Sequence, residues 1–146
     1  MMAMSEYSDF PIDFLKRTQV NLENYSGNFE VTNLINNCLG LIVLPKELLI
    51  DSLNGYIFTD SRVRYGISKT NIKFERDNDF TLKNVIRHIR NGLSHGRIEQ
   101  KSSNGVITGV RIFDCSNIDS PENFSIELSI DELKNLALKF SSEFIV

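Results

Sequence analysis

The chain has 146 residues, a size at which one domain buries its own core without disulfide or metal staples. It is 41% hydrophobic and 24% charged, a balance that excludes a disordered or fibrous chain. The formal charge of -3 excludes a protein that coats nucleic acid by bulk electrostatics, so any nucleic-acid contact has to be local.

The first stretch, "DFPIDFLKRTQVNLENY", carries Phe10, Phe14, Leu15, Leu22 and Tyr25 close to helical spacing. Pro11 is tolerated in a first turn, and a helix to about residue 25 follows. "SGN" at 26–28 breaks it, and Asn28 is placed to cap a second helix through "FEVTNLINNCLGLIVLPKELL". The second half of that helix is apolar around most of its circumference, so it is expected to be the most buried, with Pro45 ending or bending it. Cys38 and Cys115 are the only cysteines and form no CxxC pair. They read as buried free thiols of a reducing cytoplasm rather than as a disulfide or zinc framework. The longest apolar run, "LIVL", falls far short of a membrane span, and "MMAMSEYSDF" lacks the basic segment and apolar core of a secretory signal. A soluble cytoplasmic protein with no membrane partner is expected.

Residues 51–79 are weakly patterned and predict a loop with at most a short helical turn, the expected seat of substrate or partner specificity. Tyr56, Phe58 and Tyr65 are candidates there for stacking on bases, with core packing as the competing reading. "DFTLKNVIRHIRNGLSHG" predicts a third helix, capped by Asp79 or Thr81. Beyond Gly96 the period changes. "RIEQK", the turn-prone "SSNG" and "VITGVRIFDC" predict a β-hairpin, and "FSIELSI" a further strand. Ser129 and Glu132 in "SIDE" have capping-box spacing, which starts a last helix over 130–145. The expected architecture is a single domain over 1–146, mainly α: a helical bundle with a small antiparallel β-hairpin or sheet near the C-terminal half.

The third helix carries the chemistry. At about 100° per residue, Leu82, Val85, Ile86, Ile89 and Leu93 share one face, and Lys83, Arg87, His88, Arg90, Asn91, Ser94 and His95 fall on the other. The core is accounted for without the polar residues. Arg90 and His95, five positions apart, are separated by roughly 140° on a straight helix, too wide for both to reach one atom. Either Gly92 and Gly96 loosen the helix end, or two copies of the helix pack across a dyad, with the small Gly92 and Ser94 allowing close approach.

Arg90-Asn91-Gly92-Leu93-Ser94-His95 has an arginine and a histidine with four residues between them, and a polar residue after the arginine, at the end of an amphipathic helix. This resembles the signature of the HEPN (higher eukaryotes and prokaryotes nucleotide-binding) family. "NFEVTNLINNCLGLIVLPKE" is similar to the long buried second helix of small stand-alone bacterial members. The resemblance implies a HEPN-like helical bundle and a metal-independent endoribonuclease without cofactor, commonly a toxin or host-defence effector, its site composed at a homodimer interface. It places the catalytic arginine on Arg90, the polar companion on Asn91 and the catalytic histidine on His95. RNA is the implied partner, with an antitoxin or regulatory protein as a further one.

Metal-free RNA cleavage uses the ribose 2′-OH as nucleophile, which needs one group to take its proton and another to protonate the leaving 5′-oxygen. Imidazole is the side chain suited to both near neutral pH, and two copies of His95 in a dimer would divide the roles. Arg90 would hold the phosphate and offset the charge that builds on it. Asn91 and Ser94 would orient phosphate or imidazole. Lys83 and Arg87 read as solvated or phosphate-steering, and His88 as a surface residue or an accessory RNA contact. A zinc site on His88 and His95 lacks further ligands at suitable spacing. The bland reading of His95 is a helix-end residue against the last carbonyls. The competing functional readings are a non-catalytic RNA- or nucleotide-binding module and a dimeric interaction module whose third helix is only a seam.

Overall fold

The computed structural model describes residues 10–25, 30–43, 56–59, 65–76, 78–117 and 119–143. Two helices open the chain: α1, Phe10–Asn24, and α2, Glu30–Cys38, which runs on as a wider π-helical turn over Leu39–Val43. Leu15, Leu34, Cys38, Leu41 and Ile42 are buried where these segments meet. The expected cap Asn28 and the expected stop Pro45 lie outside the described residues. Helix α3, Leu82–Ser94, starts on Thr81, whose side chain accepts a hydrogen bond from the Asn84 N–H. Helix α4, Ile130–Ser142, starts on the expected capping box: Ser129 accepts from the Glu132 N–H, and the Glu132 carboxylate accepts from the Ser129 N–H.

Four strands form one antiparallel sheet: β1 (Ile72–Phe74), β2 (Ile98–Ser103), β3 (Val106–Cys115) and β4 (Glu122–Ser129), in the order β1-β4-β3-β2. Asn104 and Gly105, both at positive φ, make the two-residue turn between β2 and β3, the geometry that an Asn-Gly pair favours. The register sets Ile112 opposite Ile98 on one side and Ile126 on the other. Val110, Ile112 and Asp114 of β3 and Phe124, Ile126 and Leu128 of β4 point into the core, because side chains two apart on a strand share a face. Onto that face pack Val85, Ile86, Ile89 and Leu93 of α3 and Leu133, Leu136 and Phe140 of α4, all buried.

The expectation of a mainly α fold is therefore corrected: four helices and a four-stranded sheet make an α+β fold among the described residues. The sheet outgrew its expected size for two reasons. β3 and β4 are long strands that send Val110, Ile112, Phe124, Ile126 and Leu128 into the core, and β1 comes from the 51–79 segment read as loop. "IKF" is too short to show a period, and only pairing with β4, far away in sequence, makes it a strand. The same segment also holds a 3-10 turn, Lys69–Asn71, and Ile57, which bridges to Thr81 beyond it.

Candidate functional site

The apolar stripe of α3 is buried as its spacing requires, and this fixes where the polar residues go. His88 departs from expectation. It is 7% exposed, its ring stacked on Phe124 with centroids 4.8 Å apart and edged by Phe74 at 5.7 Å. The surface reading of His88 is thus corrected. A buried imidazole has to be paired, and His88 Nδ1 lies 2.7 Å from Asp114 Oδ2.

Asp114 is the residue that sequence reasoning missed. At 3% exposure it sits on the core face of β3, and donors converge on it from three directions. Asn91 Nδ2 donates to Oδ2 at 3.2 Å, Arg97 Nη1 to Oδ1 at 2.9 Å, and the Cys115 N–H to Oδ1 at 2.9 Å. Burial pushes the carboxyl's pKa up, but the hydrogen bonds from His88, Asn91 and Cys115 outweigh it, and the net shift is downward. An ionised carboxylate only accepts, so the proton between the two groups is on His88 Nδ1. A usable signal was present in the sequence. The alternation that sends Val110 and Ile112 inward sends Asp114 inward too, and a carboxylate on a core face has to find donors.

Asn91 joins this centre to the arginine. While its amide nitrogen donates to Asp114, its Oδ1 accepts from Arg90 Nη1 at 2.8 Å. Arg90 and Asn91 are both half-buried, so the line His88–Asp114–Asn91–Arg90 runs from the core to the rim of α3.

His95 lies at the exposed C-cap of α3, where its backbone N–H donates to the Asn91 carbonyl at 3.0 Å. The next two residues close the helix in a Schellman motif: Gly96 N–H donates to Leu93 O at 3.3 Å and Arg97 N–H to Gly92 O at 2.8 Å, with Gly96 at φ 68°. The helix end is latched rather than loosened, and α3 stays regular through Ser94. Gly92 has a use other than the dimer seam considered for it. A Cβ there would lie 2.6 Å from Ile112 Cγ2 and 2.6 Å from the Phe113 carbonyl oxygen, so its lack of a side chain lets α3 lie directly on β3.

Of the remaining candidates, Lys83, Arg87 and Ser94 are exposed along α3, and Arg87 donates to Asn84 Oδ1. Phe58 and Tyr65 are buried. Phe58 takes the edge of Tyr56 at 5.3 Å, and Tyr65 meets Phe140 at 5.8 Å while its hydroxyl bonds Glu143, so core packing wins over base stacking for these two. Among the described residues no cluster of three His, Cys, Asp or Glu could hold a metal ion, and no helix is long and apolar enough to cross a membrane.

No curated protein and no solved structure matches the chain. A family model does. The model described as HEPN pEK499 p136 matches residues 4–145, and the protein belongs to that HEPN family.

Proposed function

We propose that the protein is a metal-independent endoribonuclease whose site is composed of Arg90, Asn91 and His95 at a homodimer interface. The observation that carries this reading is the held pair: Asn91, anchored on buried Asp114, bonds Arg90, while the latched end of α3 leaves His95 exposed one turn further on. In the reaction a base removes the proton of the ribose 2′-OH, the 2′-oxygen attacks phosphorus, the bond from phosphorus to the 5′-oxygen breaks, and an acid protonates that oxygen. The products are a 2′,3′-cyclic phosphate and a 5′-hydroxyl. His95 serves in proton transfer and Arg90 balances charge on the phosphoryl oxygens. Because α3 is regular to Ser94, the roughly 140° between Arg90 and His95 is spanned by a second copy of the chain, which brings one protomer's histidine to its partner's arginine. The reading extends to a toxin or host-defence effector restrained by an antitoxin or regulatory protein.

The test is incubation of mixed RNA and DNA with wild-type protein and with His95→Ala, in EDTA. Expected is RNA cleavage by the wild type alone, leaving 2′,3′-cyclic phosphate ends, with DNA intact. Intact RNA in both tubes, or equal cleavage by both proteins, would overturn the reading.

A further inference from the structure

Next to Asn91 is a cleft of about 300 Å³, lined by Phe74, Arg87, His88, Asn91, Asp114 and Asn123 among others. Its volume is at the lower end of the range for small-ligand sites, about 300–1,000 Å³. Two features of its wall point to a ligand. His88 Nδ1–H donates to Asp114, so in the neutral ring Nε2 carries the lone pair, and among the described residues nothing hydrogen-bonds Nε2. Asn123 Nδ2 donates to Ser116 Oγ at 3.2 Å, while its Oδ1 is buried with no hydrogen-bond partner among the described residues. The cleft thus offers one acceptor awaiting a donor, His88 Nε2, with a guanidinium, that of Arg87, on the rim. A ligand that matches brings a hydroxyl or amino donor next to a negative charge.

We propose that this cleft is a ribonucleotide subsite, in which His88 Nε2 accepts the 2′-hydroxyl of one ribose in an RNA strand and Arg87 meets the adjoining phosphate. The inference rests on the reading that RNA is the ligand of the neighbouring Arg90–Asn91 pair. It assigns His88 to strand recognition rather than to bond breaking. The 2′-hydroxyl is the donor that DNA lacks, so the subsite tells RNA from DNA.

The test is binding, read in the His95→Ala protein so that RNA stays whole: fluorescence anisotropy with a labelled short single-stranded RNA and its DNA counterpart. His88→Phe keeps a ring against Phe124 and removes both nitrogens. Expected is a loss of about fivefold in RNA affinity with DNA affinity unchanged, as befits one hydrogen bond. Arg87→Ala, at an exposed position, weakens both strands alike and reduces the salt dependence. Equal effects of His88→Phe on RNA and DNA, or none, overturn the proposal, and so does free adenosine monophosphate binding as tightly as the strand. Should His88→Phe not fold, nitrogen-15 spectra of the His95→Ala protein carry the test, since His88 is then the single histidine. RNA moves its Nε2 resonance and DNA does not, and equal movement refutes the subsite. Whole RNA with wild-type protein, beside a selective His88 effect, would reject the nuclease and keep the subsite.

Discussion

Replacing Asp114 with asparagine keeps the shape of the side chain and removes its charge, which isolates what the carboxylate does. Each carboxylate oxygen accepts from two donors, His88 and Asn91 on Oδ2, and Arg97 and the Cys115 N–H on Oδ1. If the new amide nitrogen replaces Oδ1, it faces a guanidinium and a backbone N–H, neither of which can accept. If it replaces Oδ2, His88 has to move its proton to Nε2 and Asn91 has to flip its amide, which turns an NH2 group toward Arg90 and breaks that bond. Either way a buried donor is orphaned. Breaking a buried ion pair by removing one partner costs about 3–5 kcal/mol, and the Arg97 side chain, 17% exposed, keeps some water, so the lower end applies. Asp114→Asn is expected to lose about 3 kcal/mol in urea unfolding followed by circular dichroism, with a fall in Tm on the order of 10 °C. The carboxyl titrates lower in the folded state, so its contribution is complete above the unfolded value, about 3.9, and is lost as pH falls through the folded value beneath it. The gap between wild type and variant therefore narrows below about pH 4. A loss under about 1 kcal/mol at neutral pH, the size of one ordinary hydrogen bond, would refute the reasoning.

Gly92→Ala drives a methyl against Ile112 and the Phe113 carbonyl, and is expected to cost about 2–3 kcal/mol. Gly96→Ala meets no atom within 4 Å and costs only its left-handed backbone, about 1 kcal/mol, so a Gly96 variant less stable than the Gly92 variant in the same urea series would refute the close approach. Burial pushes the Cys38 thiol up to about 12, and iodoacetamide at neutral pH should alkylate half-buried Cys115 alone in the folded protein. Mass spectrometry showing both thiols modified without denaturant would contradict this.

Local signals in the sequence carried most of the helices. Thr81 and the Ser129–Glu132 box start α3 and α4 where spacing puts them, and the Asn104–Gly105 pair makes its turn. Partnering was not legible. β1 is a strand only because β4 lies beside it, and the size of the sheet followed from that pairing. His88 shows the same limit at the site. A helical wheel treats every polar residue as outward, yet its ring is covered by Phe124 and Phe74, contributed by two strands. Asp114 was readable in principle from the phase of β3, but its donors come from α3 and from Arg97, and no local window contains them all.

That arrangement bears on how the sheet relates to the R-N-x-x-x-H stretch of α3. A helix alone could present Arg90 and His95, but it has no acceptor for the imidazole of His88 or the amide of Asn91 once both are turned inward. β3 supplies that acceptor, and the closeness it requires is allowed by Gly92, inside the same stretch. The latch at Gly96 then turns the chain so that Arg97 reaches back to the same carboxylate and its carbonyl accepts from Phe113 N–H at 3.1 Å. Asn91, Gly92 and Arg97 thus each touch β3, and the orientation of Arg90 is set from the strand through Asn91. The sheet is accordingly part of what holds the candidate site, and a change on the inward face of β3 should be felt at Arg90 before it is felt at His95, which the helix cap alone positions.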